Sequence, residues 1–109
     1  MGTFTVGEVV LISFPYADFS KFKRRPALVI GLAEFDNLIL CQITSKADTS
    51  KKAIPLADGD FQRGSLSLDS FIRPDKLFTV EPAIIEKSMG LLFDDKLNVV
   101  KSKVRQIFE

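Results

Sequence analysis

The chain has 109 residues, of which 46% are hydrophobic and 27% charged, and its net charge is +1. That leaves room for one domain with a single small core, and it makes whole-molecule attraction to nucleic acid weak, so any such attraction must be local. The chain has no histidine and a single cysteine, which removes imidazole catalysis, the commonest metal ligand and any internal disulfide. No apolar run is long enough to span a membrane. The N-terminus lacks a basic region followed by an apolar stretch, so no secretory signal is expected. The lone Cys41 fits a reducing cytoplasm and reads as a small core residue within a strand.

In chain order, residues 6–14 are rich in β-branched side chains and read as a strand. The stretch is apolar on both faces from Val9 to Ile12, as a central strand would be. A second strand is expected over residues 27–32. Asp36-Asn37 turns it into a third over residues 38–44. Residues 45–52 are polar and cationic, a loop. Residues 53–56 form a short strand that carries Pro55 and so belongs at an edge. A turn at 57–60 precedes an alternating strand over 65–72, and residues 76–78 resemble a last short strand. Two helices are expected to close the chain. Pro82 opens the first, which ends at Gly90. The second follows Phe93-Asp94, with Leu97, Val100, Val104, Ile107 and Phe108 at helical spacing. Strands followed by helices give an α+β, mainly β class: a small, strongly curved antiparallel sheet or barrel with a C-terminal helix packed on it.

Chemistry is concentrated between Phe14 and Ile30. Pro26 restricts Arg25 to extended backbone, so its guanidinium leaves a stiffened junction between loop and strand. Such a cation, beside Lys21, Lys23 and Arg24, is suited to a phosphodiester, because a guanidinium binds two phosphate oxygens at once and stays charged. Phe19 and Phe22 are interleaved with these cations and could stack on bases or anchor the loop to the core. Lys46, Lys51 and Lys52 lie in the other loop.

Read together, these segments resemble the PemK/MazF family. The resemblance rests on Gly7-Glu8-Val9-Val10 leading to Phe14-Pro15-Tyr16, then Lys23-Arg24-Arg25-Pro26-Ala27-Leu28-Val29-Ile30. Gln42-Ile43-Thr44-Ser45, the segment from Gly64 to Asp69, and Ile72-Arg73-Pro74-Asp75-Lys76-Leu77 follow in the family's order. It implies a small SH3-like barrel with helices, acting as a cytoplasmic homodimer without cofactor or metal. It also implies a sequence-specific endoribonuclease, an mRNA interferase that cleaves single-stranded RNA. Attack by the substrate's own 2′-hydroxyl would leave a 2′,3′-cyclic phosphate and a 5′-hydroxyl.

By the same resemblance, Arg25 matches the catalytic arginine and Thr44 the catalytic strand-end hydroxyl, with Ser45 able to share its role. Asp69 falls at the position of a catalytic carboxylate, but Ser67 stands where an arginine precedes it in some members. Asp69 is otherwise a solvated or turn-capping aspartate. Arg73 is either a second phosphate contact or the partner of Asp75. The usual protein partner would be a cognate antitoxin whose acidic tail competes with RNA for the cations from Lys21 to Arg25; the antitoxin complex would bind DNA. Two other readings stand beside this one. A CcdB-like gyrase poison would use a Trp-containing tail, and this chain has no Trp. An inactive family member would keep only the RNA- and antitoxin-binding surface.

Overall fold

A computed structural model of the protein describes residues 3–15, 22–45 and 51–109, with backbone alone at 14–15 and 22–23. Among these described residues seven strands run β1 (Glu8–Pro15), β2 (Phe22–Leu32), β3 (Leu38–Thr44), β4 (Ile54–Leu56), β5 (Phe61–Gly64), β6 (Ser70–Val80) and β7 (Ile85–Leu92). An α-helix, α1 (Asp94–Ile107), follows the last strand. The strands form a single antiparallel sheet in the order β4-β6-β3-β2-β1-β7-β5, curled into a half-barrel.

Burial follows the pleat. Val9, Leu28, Cys41 and Ile43 belong to one apolar cluster, and Val10, Ala27, Val29 and Leu40 to a second. β1 is paired on both sides, by β2 and β7, as its two apolar faces require. The helix covers the first cluster with Leu97 and Val100, each side chain adding about 1.5–3 kcal/mol by leaving water. Asp94 and Asp95 occupy its first turn, where negative charge suits the helix dipole. Lys96 reaches Asp60 at 3.5 Å and ties the helix to the turn before β5. Pro55 lies in β4, an edge strand, where its missing donor is tolerated.

The closing segment corrects the expected pair of helices. Pro82 does open a helical turn, but only a single 3₁₀ turn, Pro82–Ile84, after which the chain enters β7. The spacing of Ile85, Met89 and Leu92 imitates a helix because β7 carries two irregularities against β1. Val9 and Val10 pair with Gly90 and Ser88, passing over Met89; Leu11 and Ile12 pair with Lys87 and Ile85, passing over Glu86. Two inserted residues stretch a period of two towards a period of four. Gly90 is therefore not a helix cap. It lets the β5 backbone come close, since a Cβ there would meet the Arg63 carbonyl.

The alternating segment over 65–72 is likewise corrected. β5 ends at Gly64, residues 65–69 connect, and β6 begins at Ser70 and runs on through the expected short strand at 76–78. Strand β2 starts at Phe22, five residues earlier than expected, so Arg25 and Pro26 lie within it and pair with Ile12 and Leu11.

Cys41 is fully buried in β3. Burial, assisted by the charge of Asp75, pushes its thiol up to about 12. Near neutral pH it is protonated and enclosed, and the thiolate is the reactive form. Iodoacetamide is therefore expected to label the folded protein far more slowly than the urea-unfolded chain; equal rates would contradict this packing.

Candidate active site

The ladder between β2 and β3 runs from Leu32–Leu38 to Ala27–Gln42 and stops there. Continued in register, it would set Pro26 opposite Ile43 and Arg25 opposite Thr44. Pro26 has no N–H to donate. From this point β2 stays with β1 through Pro26 and Arg25, while Gln42, Ile43 and Thr44 stay with Arg73, Ile72 and Phe71 of β6. The two strands part, and a cleft of about 290 Å³ occupies the gap.

Arg24 and Arg25 line the cleft from β2, and Thr44 and Ser45 from the end of β3. The facing wall is Leu66, Ser67 and Leu68 of the β5–β6 connection together with Met89 of β7. The buried Ser70 hydroxyl donates to the Leu68 carbonyl at 2.9 Å and shapes this wall. Leu68 is left 66% exposed. One side of the cleft is thus cationic and hydroxylic, and the other mostly aliphatic.

The two arginines differ in their commitments. Arg24 Nε lies 3.1 Å from Glu86 Oε1, and Glu86 Oε2 accepts the Ser13 hydroxyl. No carboxylate among the described residues forms an ion pair with half-buried Arg25. Among the described residues, then, no carboxylate has to be displaced for Arg25 to receive an anion. Met89 and Glu86, the two residues passed over in the β1–β7 ladder, both serve this region: one lines the cleft, the other holds Arg24.

Other sequence-derived candidates lie elsewhere. Asp69 is exposed and does not line the cleft, although its neighbours Leu68 and Ser70 do. Arg73 donates to both carboxylate oxygens of Asp75, at 3.0 and 2.9 Å, across a bulge that carries buried Pro74. Lys51 and Lys52 line a separate groove beside α1. Phe19, Lys21 and Lys46 fall outside the described residues, as do the side chains of Phe22 and Lys23. Glu86, Leu66, Leu68 and Met89 were not singled out from sequence. For the two leucines, the alternation with Ser67 was the available signal.

The Arg73 hydrogen bonds hold the Asp75 carboxyl below its ordinary value. A lowered carboxylate stabilises the fold above its unfolded pKa, near ~4, and that contribution is lost as pH falls through the folded value. Asp75→Asn should therefore cost about 1 kcal/mol or less at neutral pH, the pair being partly exposed. It should also flatten the acid limb of a urea-midpoint titration. An unchanged acid limb would remove the pair from the pH dependence.

The PemK-like, MazF-like toxin model of type II toxin–antitoxin systems matches residues 5–108. The chain belongs to this family. No curated protein matches it in sequence. Among solved structures, the MazE–MazF complex of Deinococcus radiodurans is similar at TM-score 0.79 and 20% identity, over 99% of this chain and 97% of that one. An endoribonuclease with its cognate antitoxin from a mycobacterial species gives TM-score 0.73 and 12% identity, covering 97% and 93%. The Mycobacterium tuberculosis toxin MazF-mt6 gives 0.66 and 16%, covering 91% and 95%. These likenesses carry the MazF fold, and the curled sheet with its C-terminal helix agrees with them. No helix among the described residues is long and apolar enough to cross a membrane.

Proposed function

We propose that this MazF-like chain is an endoribonuclease that cleaves single-stranded RNA without a metal and is neutralised by a cognate antitoxin. The observation that supports it most is that Arg25 and Thr44 line one cleft, at the place where β2 and β3 part. A scissile phosphate seated there would place its non-bridging oxygens on the Arg25 guanidinium, which can hold two of them. The substrate's 2′-hydroxyl attacks phosphorus, the bond to the 5′-oxygen breaks, and the leaving oxygen takes up a proton. Thr44 orients the 2′-hydroxyl or donates to a phosphate oxygen, with Ser45 beside it. Asp69 does not line the cleft, so it takes up the 2′-hydroxyl proton only through intervening water, and water supplies the proton to the leaving oxygen.

The aliphatic wall gives a base an apolar surface, and Arg24 adds charge at the cleft. Two such chains acting as a homodimer would present two clefts to messenger RNA.

The test is incubation of the purified protein with single-stranded RNA in EDTA, followed by mapping of the new ends. Fragments with 2′,3′-cyclic phosphate and 5′-hydroxyl ends are expected at recurring short motifs. Intact RNA would favour an inactive member that retains only a binding surface. Ends bearing 5′-phosphate would overturn the mechanism.

A further inference from the structure

Three strands converge on one carboxylate at the rim of the cleft. Glu86 of β7 meets Arg24 Nε of β2 through Oε1 at 3.1 Å, and its Oε2 accepts the Ser13 hydroxyl of β1. Ser13 and Arg24 are direct cross-strand partners, so their side chains share a face and can reach the same carboxylate. Glu86 is brought to them by an irregularity in the β1–β7 ladder: Leu11 pairs with Lys87 and Ile12 with Ile85, and Glu86 is passed over. An inserted residue of this kind bends its strand and re-aims its side chain.

The members of the ion pair differ in exposure. The Arg24 side chain is 72% exposed and that of Glu86 31%. The carboxylate is thus the anchored member, engaged from two strands, and the guanidinium is the presented one. A guanidinium carries five N–H donors, so contact with Glu86 at Nε is compatible with an anion at the terminal nitrogens. An arginine gives up rotamer freedom when it grips a phosphate, and one already held at Nε gives up less. Arg24 lines the cleft beside Arg25. Successive residues of a strand face opposite ways, and both arginines reach the cleft because it opens at the edge of β2. They enter it from two sides, which suits two phosphates of one chain more than a shared one.

We infer that Arg24 is a subsite for a second RNA phosphate, adjoining the scissile one, and that Glu86 is the residue that positions it. The inference rests on the reading of the cleft as an RNA site. It makes Glu86 part of substrate binding although it carries the same sign of charge as the substrate. A carboxylate that merely masked Arg24 would act in the opposite direction. Removing a mask strengthens the binding of a polyanion, whereas removing a positioning group weakens it.

The test measures binding of a short, mixed-sequence, fluorescein-labelled oligonucleotide with 2′-deoxy sugars, which keeps the phosphates and lacks the nucleophile. Wild type is compared with Glu86→Ala, Glu86→Gln, Arg24→Ala and the Glu86→Ala/Arg24→Ala double variant, each first checked by urea unfolding. Glu86→Ala is expected to bind about two- to fivefold more weakly, the range of an exposed charge pair. The slope of log affinity against log salt should become shallower by about 0.7, one phosphate contact on a single strand. Glu86→Gln should recover part of the affinity, since its amide oxygen still accepts from Arg24. In the double variant, loss of Glu86 should add nothing to loss of Arg24. With cleavable RNA, the loss should fall on KM and not on kcat. Equal or tighter binding by Glu86→Ala, an unchanged salt slope, additive losses in the double variant, or a wild type that leaves the oligonucleotide unbound would each overturn the inference. The binding series requires no cleavage. Wild-type RNA cleavage with tighter binding by Glu86→Ala would sink the subsite alone, and the expected binding series without cleavage would sink the nuclease reading alone.

Discussion

Replacing Arg25 with alanine is expected to slow RNA cleavage about a hundredfold to a thousandfold while leaving the fold intact. The rate follows from the charge that builds on the phosphate oxygens in the transition state; a preorganised donor aimed at such charge is worth about 3–4 kcal/mol. The intact fold follows from the surroundings: the Arg25 side chain is half-buried and forms no ion pair among the described residues. Arg25→Lys separates charge from shape. Lysine keeps the charge and loses the planar two-point grip, so its rate should fall between those of wild type and Arg25→Ala. Arg24→Ala is a useful contrast, because Glu86 already engages Arg24 at the rim. Its effect should appear chiefly as weaker binding with a shallower salt dependence, as for a phosphate contact outside the chemical step. Initial rates on one single-stranded RNA in EDTA, with urea midpoints as controls, check all three variants. Full activity in Arg25→Ala would remove this residue from the mechanism.

The sequence made the first half of this site more legible than the second. Arg25-Pro26 and Thr44-Ser45 could be placed because they mark the ends of strongly apolar segments. Their juxtaposition then follows from one hairpin register, Ala27 against Gln42. Pro26 proved informative for a reason beyond its restriction of Arg25: it stands immediately past the end of the β2–β3 ladder. The opposite wall depends on long-range pairing that no local pattern reports. Leu66-Ser67-Leu68 alternates as a strand does, yet it is a connection held by Ser70 and by the pairing of Gly64 with Gly90. In β7, Pro82 and Gly90 marked out a helix that pairing with β1 overrides, and the two residues this pairing passes over, Glu86 and Met89, reach the Arg24 pair and the cleft. Arg73 illustrates a competition between partners: Asp75, two residues away across buried Pro74, binds its guanidinium at two points, leaving it poorly placed to recruit a phosphate.

That dependence on pairing makes Gly64→Ala the most damaging small substitution expected outside the cationic cleft. Gly64 has φ +75°, in the left-handed region, and lies opposite Gly90 in the β5–β7 ladder. A methyl group on it would run into the Met89 carbonyl oxygen and the Gly90 Cα. That same carbonyl accepts the Ser65 N–H at 3.3 Å, the first hydrogen bond of the connection leading to the cleft wall. Left-handed strain of about 1–2 kcal/mol combines with overpacking of about 1–3 kcal/mol, so a loss of about 2–5 kcal/mol is expected in urea unfolding. Gly59→Ala is the control, because nothing lies within 4 Å of the added Cβ, and its stability should stay within about 0.5 kcal/mol of wild type. The consequence extends to function, since backing β5 away from β7 displaces Met89 and the 65–69 connection together. RNA cleavage by the folded fraction of Gly64→Ala should therefore fall although every proposed catalytic group is present. Wild-type stability and activity in this variant would show that the wall opposite Arg25 is not set by the β5–β7 pairing.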